Sequence, residues 1–303
     1  MKLRELRGYL FLFFICGAVV SLRGLLYIIV IMNILDLRNP FGAPVYHADT
    51  VSSTFDTARA LAAKGAAHGT VICADFQESG RGRQGRSWTA ERGKNLLFTI
   101  LLRYGSISFI PVALTLKTGL ALSLALEDLV PALQGSVKVK WPNDVMIKSV
   151  KAQDKNKAQD AFKAAGILTE TDGENVFIGL GVNLAQTEFP GVYRSRAGSI
   201  VQACPDLGDG SLIENFRFLL LEQILTRLYE EISAPQSAGP WQERLMERLY
   251  KKGETVSFAE GSAASDHVIE GTLSGLGPGG ELLIIPSGET EKRAFVNGEL
   301  RVY

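Results

Sequence analysis

The chain has little cysteine and little histidine. Cys16, Cys73 and Cys204 lie far apart and form no C-x-x-C pair, which excludes a disulfide framework and a cysteine zinc cluster and fits a reducing compartment. His47, His68 and His267 are equally scattered, so neither a histidine metal site nor a catalytic triad has a local signature, and all three read as surface or satisfied core histidines. Net charge is lacking too: 32 Lys and Arg stand against 32 Asp and Glu in 303 residues. A general nucleic-acid binder needs an excess of cations to displace phosphate counterions, so any cationic site here must be local. No internal repeat is present. With 46% hydrophobic and 21% charged residues, the chain suffices for one large core and a small satellite domain.

The amino terminus departs from this balance. From Tyr9 to Ile34 the chain is nearly all apolar, broken by Ser21 and Arg23 and preceded by Lys2, Arg4 and Arg7. A single span would bury Arg23 near its middle at a cost of about 2.5–3.5 kcal/mol, and the flanking charges would place everything after Ile34 outside. Two spans, Tyr9 to Val20 and Leu25 to Ile34, would each be too short. No small-residue cleavage site follows Val20. The segment therefore reads as an upstream extension of a frame that starts at Met32, in preference to a membrane anchor through residues 9–34.

Further along, Ser53 or Thr54 caps a short helix that carries Ala58, Leu61 and Ala62 and stops at Gly65. Strands are expected over Thr70 to Asp75, Asn95 to Leu102 and Val137 to Trp141, with a long apolar helix over Val112 to Leu129. Ile167 to Glu170 and Val176 to Leu180 flank Asp172-Gly173, a hairpin signal. Helices over Leu212 to Ile232 and Trp241 to Tyr250 are punctuated by Pro235 and Pro240. From Gly253 the pattern changes to short strands: Thr255 to Phe258, His267 to Leu273, Glu281 to Ile285, Arg293 to Val296 and Leu300 to Tyr303. The expected class is α+β: a mixed sheet flanked by helices, then a small carboxy-terminal barrel. The boundaries drawn are an apolar extension over 1–44, a catalytic domain over 45–250 and the barrel over 251–303. The run of Lys, Ala, Gln and Asp from Lys148 to Lys163 is the one low-complexity patch.

Chemistry concentrates in the loop Gln77-Glu78-Ser79-Gly80-Arg81-Gly82-Arg83-Gln84-Gly85-Arg86-Ser87-Trp88, where glycine and arginine alternate. Glycine permits close backbone approach, and guanidinium forks match phosphate oxygens, so the composition suits a closable polyphosphate clamp. It is not a P-loop, since G-x-x-x-x-G-K-[ST] is absent. Composition alone favours a solvated linker or a nucleic-acid patch. Three further segments change that balance: Lys140-Trp141-Pro142-Asn143-Asp144, then Ala165-Gly166-Ile167-Leu168-Thr169-Glu170, then Ile178-Gly179-Leu180-Gly181-Val182-Asn183-Leu184.

In this order, and from about Val45 to Tyr303, these segments resemble the biotin protein ligases, also called biotin–acetyl-CoA-carboxylase ligases, in the short form without an amino-terminal helix-turn-helix domain. The resemblance implies a biotin/lipoate ligase-like catalytic domain followed by an SH3-like barrel. It implies a biotin site at Ser53, Thr54, Gln77, Gly80, Arg81, Lys163 and Gly166, with Phe55 standing where the family usually has Asn. It implies adenylate contacts at Arg83, Arg86, Trp88, Asn143, Asp144 and Asn183. Arg81, Arg83, Arg86 and Lys163 would carry catalysis. Lys163 has competition from Lys148, Lys151, Lys155 and Lys157, and the stretch between Asp144 and Lys163 is longer than is usual in the family.

The chemistry so implied is adenylation of a carboxylate. A carboxylate does not acylate an amine at neutral pH, so it first attacks the α-phosphate of ATP, and no protein nucleophile is required. The site must supply positioning and positive charge as pyrophosphate leaves, with Mg²⁺ assisting. ATP and biotin are the implied substrates, and a lysine of biotin carboxyl carrier protein the acceptor. A cytoplasmic enzyme that does not bind DNA is implied, with a homodimer as its candidate assembly. Lipoate or octanoate ligases and a catalytically inactive biotin sensor are the alternatives. A DNA-binding repressor is disfavoured, because the region before Val45 is too short and too apolar for a recognition helix.

Overall fold

A computed structural model describes residues 32–148, 161–191, 196–208, 211–233, 240–261 and 264–301. The elements of the larger unit run β1 (Asn33–Leu35), β2 (Val45–Val51), α1 (Thr54–Ala62), β3 (Val71–Gln77), β4 (Asn95–Arg103), α2 (Leu114–Leu129), β5 (Val137–Lys140), β6 (Asp144–Lys148), β7 (Ala161–Thr171), β8 (Asn175–Asn183), α3 (Ile200–Ala203), α4 (Ser211–Ile232) and α5 (Trp241–Arg248). Its eight strands form one sheet in the order β1-β2-β3-β4-β8-β7-β6-β5. Only β2 and β3 pair in parallel, with α1 as their crossover; every other pairing is antiparallel.

Alternation in β4 and β8 assigns the two faces of the sheet. Leu96, Phe98, Ile100 and Leu102 of β4 and Val176, Ile178, Leu180 and Val182 of β8 pack under α2 and α4 against Leu122, Leu126, Leu221 and Ile224. The stretch Ile107–Leu129 is apolar and long enough to cross a bilayer, yet α2 serves as a core helix, with Leu120, Leu122 and Leu126 fully enclosed. On the opposite face α1 covers only one end, setting Phe55, Ala58 and Leu61 against Ile72, Leu101 and Phe177. The rest of that face stays open and becomes the cleft.

The carboxy-terminal strands, β9 (Thr255–Glu260), β10 (Val268–Leu276), β11 (Leu282–Pro286), β12 (Arg293–Phe295) and β13 (Gly298–Arg301), form an antiparallel sheet in the order β12-β11-β10-β9-β13, the small SH3-like unit expected there. Its core of Val256, Phe258, Leu273, Leu282 and Ile284 continues into Leu116 and Leu120 of α2, Val139 of β5 and Leu245 of α5. Trp141 fastens the joint, its ring 6.0 Å from that of Phe258 and its Nε1 donating to the Gly280 carbonyl at 3.0 Å.

Two expectations change. The sheet begins at Asn33, inside the segment 1–44 set apart from the sequence: Asn33, Ile34 and Leu35 pair with His47, Tyr46 and Val45. Residues 33 and 34 of the candidate membrane segment 9–34 are thus edge strand, their backbone paired with β2; residues 9–31 lie outside the described residues. Strand β6 follows the Trp141-Pro142 turn, whose peptide bond is cis. No strand was expected there: Val145, Met146 and Ile147 are all buried, so no alternation marks it.

Candidate active site

The floor of the cleft is the uncovered face of β7 and β8. Register pairs Gly166 with Gly181 and Leu168 with Gly179, so three glycines lie together where side chains would otherwise stand. Two aromatic rings occupy the space. A Cβ on Gly181 would lie 2.3 Å from Cε2 of Trp88, and one on Gly166 would lie 2.8 Å from its Cζ3. A Cβ on Gly179 would lie 2.1 Å from Cε2 of Phe55. The Gly-Leu-Gly-Val-Asn run thus has a physical reading: Leu180 and Val182 fill the core while the alternate glycines admit rings on the other face. The cleft runs from Thr54 and Gln77 at one end to Arg83, Asp144, Lys163 and Glu299 at the other.

The first end is neutral. Ser53 is the N-cap of α1 and is fully buried, its oxygen accepting from the Phe55 amide at 3.3 Å. Thr54 donates to Gln77 Oε1 twice, from its amide at 2.8 Å and its hydroxyl at 3.0 Å, while Thr99 donates to the Thr54 hydroxyl at 2.8 Å. Gln77 Oε1 is therefore saturated and its Nε2 faces away from these donors, free to meet a ligand's carbonyl. Gly80 does not line the cleft; a Cβ there would lie 2.4 Å from the Trp88 carbonyl, so it serves the close approach of the loop's two arms. Ser53 likewise supports Thr54 and Gln77 from behind.

The Gly/Arg loop is a folded hairpin. Gly80, Gly82 and Gly85 have G-x-G-x-x-G spacing after β3, but no helix follows and the segment turns back on itself, so it is not a dinucleotide-binding turn. Trp88 N donates to Gly80 O at 2.9 Å and Gly82 N to Arg86 O at 2.7 Å. The three arginines diverge. Arg81 turns towards α1, paired with Asp56 and 5.4 Å from the Phe55 ring centroid. Arg83 donates to Asn143 Oδ1 at 3.1 Å. Arg86 makes a two-point contact with Glu299 of β13 at 3.3 and 3.0 Å.

The second end is charged. Lys163 Nζ lies 2.6 Å from Asp144 Oδ1 and 5.4 Å from the Trp88 ring centroid. Simple alternation would turn Lys163 away from Gly166. A bulge prevents this: consecutive Val145 and Met146 of β6 pair with Ala165 and Lys163 of β7, leaving Ala164 as the extra residue. Ala164 and Ala165 both enter the core, and Lys163 emerges on the cleft face 3.2 Å from where a Gly166 Cβ would stand. Burial pushes the Asp144 carboxyl up, but Lys163 and Lys140 outweigh it and hold it below the ordinary carboxylate range. Asn143 braces the turn against β7, its Nδ2 donating to Ile167 O at 2.8 Å. Asn183 spends its amide on Gly198 O at 3.0 Å and Lys163 O at 3.4 Å, so it supports the lysine strand.

The structure thus gathers Thr54, Gln77, Arg81, Arg83, Arg86, Trp88, Asn143, Asp144, Lys163, Gly166 and Asn183 around one cleft. Sequence reasoning missed Phe55, Lys140 and Glu299 as cleft residues. Lys140 is 2% exposed, and burial lowers its ammonium pKa against the raising effect of Asp144 and Glu299. Its place at the head of the Trp-Pro-Asn-Asp run was the available signal; Glu299 had none. No three His, Cys, Asp or Glu side chains converge on a metal position among the described residues. Asp144 and Glu299 do supply two cleft carboxylates, a donor set that fits Mg²⁺ arriving with a nucleotide, which uses one or two carboxylates beside phosphate oxygens.

The biotin/lipoate A/B protein ligase family matches residues 47–183. Among curated proteins, the chain is similar to the bifunctional ligase/repressor BirA of Bacillus spizizenii, 33% identical over 170 residues covering 54% of this chain and 47% of that one. It is also similar to the biotin–[acetyl-CoA-carboxylase] ligase of Mycobacterium tuberculosis, 31% identical over 146 residues covering 46% of this chain and 49% of that one. The chain spans about half the length of the curated relatives it matches. Among solved structures, the biotin protein ligase of Aquifex aeolicus in complex with biotin and ATP superposes with a TM-score of 0.65 at 25% identity, over 84% of this chain and 97% of that one. Residues 47–183 thus match the biotin/lipoate A/B protein ligase family, and the chain is carried on the biotin protein ligase fold.

Proposed function

We propose that the protein is an ATP-dependent biotin protein ligase that forms biotinyl-5′-AMP and passes the biotin to a lysine of a biotin carboxyl carrier protein in the cytoplasm. The observation that carries this reading is one glycine-floored cleft with an uncharged hydrogen-bonding end at Thr54 and Gln77 and a cationic end at Lys163, Arg83 and Arg86. Such a polarity suits an acid with a neutral polar head and a carboxylate tail. Gln77 Nε2 donates to the carbonyl of the cyclic urea, and the apolar body lies against the rings of Phe55 and Trp88.

In the first step a carboxylate oxygen attacks the α-phosphorus of ATP, the bond to the bridging oxygen breaks, and pyrophosphate leaves. Lys163 exchanges Asp144 for phosphate and carboxylate oxygens, while Arg83 and Arg86 neutralise the leaving pyrophosphate. Mg²⁺ accompanying the nucleotide would be held by Asp144 and Glu299 and supplies further charge neutralisation. The Gly/Arg loop keeps water from the mixed anhydride. In the second step the carrier's lysine amine attacks the acyl carbonyl, loses a proton and displaces AMP. The test is exchange of labelled pyrophosphate into ATP, dependent on biotin, with lipoate and octanoate in parallel. Exchange with biotin supports the reading. Exchange only with lipoate or octanoate moves the chain to the sister activity, and none with any acid leaves a binding protein.

A further inference from the structure

We propose that Phe55 is a specificity-determining residue of this site: it forms the wall at the neutral end of the cleft that limits how long and how bulky an acid can be adenylated. The inference rests on the ligase reading above and extends it to a residue that the resemblance leaves out, since the family usually has Asn at this place.

Three contacts carry it. The first is position. Phe55 follows Thr54 in the first turn of α1, so the helix start that presents Thr54 to Gln77 also directs the neighbouring ring into the cleft, where it is 4% exposed. The second is the floor. The ring lies on Gly179, whose Cβ would stand 2.1, 2.6 and 3.1 Å from Cε2, Cζ and Cδ2. Trp88 covers Gly181, the next residue on the same face, about 7 Å further along the strand. With Trp88 seated nearer Lys163, the Phe55 ring is what closes the far end of the slot. The third is the clamp. The Arg81 guanidinium sits 5.4 Å from the ring centroid and is paired with Asp56 of the same helix turn, so the ring is held between strand and loop.

The slot constrains the substrate. A head group that accepts from Gln77 Nε2 lies beside Phe55, and its carboxylate must still reach Lys163 at the other end. Phe55 cannot retreat into the sheet without meeting the β8 backbone, nor rise without displacing Arg81. An acid with a longer chain or larger head is thus excluded sterically, while one of the length of biotin is accepted. Enlarging the end of the slot relaxes that limit, and narrowing it tightens the limit.

The experiment compares kcat/KM in pyrophosphate exchange for biotin, for homobiotin with one further methylene, and for desthiobiotin, which lacks the thioether ring. Wild type, Phe55→Leu, Phe55→Ala and Gly179→Ala are measured, with circular dichroism as the check on folding. Phe55→Ala is expected to raise the homobiotin-to-biotin ratio at least tenfold with the KM for ATP changed less than twofold. Gly179→Ala pushes the ring into the slot and is expected to raise the desthiobiotin-to-biotin ratio at least fivefold. Phe55→Leu keeps both ratios within threefold of wild type. If Phe55→Ala fails to fold, the Gly179→Ala ratio decides alone. A common loss for all three acids in the folded variants overturns the inference and leaves Phe55 a packing residue. Wild-type protein that exchanges with none of the acids overturns the ligase reading, and this inference with it; wild-type exchange with unaltered ratios overturns this inference only.

Discussion

Lys163 Nζ and Asp144 Oδ1 lie 2.6 Å apart across neighbouring strands, at the point where β7 bulges and β6 leaves the Trp141-Pro142 turn. On the ligase reading, the pair holds a cation at the charged end of the cleft until an anionic ligand competes for it. Lys140, 2% exposed beside it, ensures that Asp144 is not left without a countercharge when Lys163 moves.

Lys163→Ala is therefore expected to slow pyrophosphate exchange by about 10²–10³-fold, the scale of removing one group that stabilises transition-state charge. Because Lys140 still faces Asp144, the fold is expected to persist. Initial exchange rates with saturating biotin and ATP check this, and a loss below threefold contradicts the assigned role.

Trp88 can be addressed through the glycine beneath it. A Cβ at Gly181 meets its Cε2 at 2.3 Å, so Gly181→Ala must displace the indole. The expected result is a changed tryptophan emission, silent in a Trp88→Phe background, and at least a tenfold fall in exchange. An unchanged emission with a lowered rate contradicts the displacement.

Away from the cleft, Asp75 Oδ1 accepts from Arg217 Nη1 at 2.6 Å and His47 Nε2 at 2.9 Å, tying α4 to the sheet. Burial would raise the Asp75 carboxyl, but His47 and Arg217 prevail and lower it. A carboxyl depressed in the folded state contributes stability above its unfolded pKa of about 3.9, and that contribution is lost as pH falls through the lower folded value. Arg217→Ala is expected to cost about 3 kcal/mol at pH 7, the scale of breaking a buried pair, and the gap from wild type should narrow as pH falls below the unfolded value of about 3.9. Urea unfolding at both pH values measures it; a gap that widens in acid would reverse the sign.

Glu299 reaches the Gly/Arg loop from the small carboxy-terminal sheet and takes Arg86 at 3.0 Å. Arg86 is 43% exposed, so Glu299→Gln is expected to change stability by less than about 1 kcal/mol. Its effect falls on the loop, where trypsin cleavage at residues 81–86 should quicken at least threefold. Equal cleavage rates would mean the hairpin holds itself.

The strand over Val176 to Leu180 was legible as an apolar run beside the Asp172-Gly173 turn, whereas the division of Val176, Ile178, Leu180 and Val182 to the core and Gly179, Gly181 and Asn183 to the cleft came with the sheet. The Ser53 cap and the change to short strands after Gly253 were legible for the same local reason. Strand β1 was hidden within an apolar run, since three residues carry no period.

The sequence by itself determined which chemistry is at hand: alternating glycine and arginine, a lysine before the Gly-Ile-Leu strand, a cap ahead of the first helix. These are local patterns, and local energetics write them. Only the tertiary structure decided where that chemistry points. The bulge at Ala164 turns Lys163 towards the cleft, Gly179 yields its place to Phe55 and Gly181 to Trp88, and Glu299 arrives from a separate sheet to meet Arg86. Each is set by register and by packing between segments distant in the chain, which no window of neighbouring residues contains.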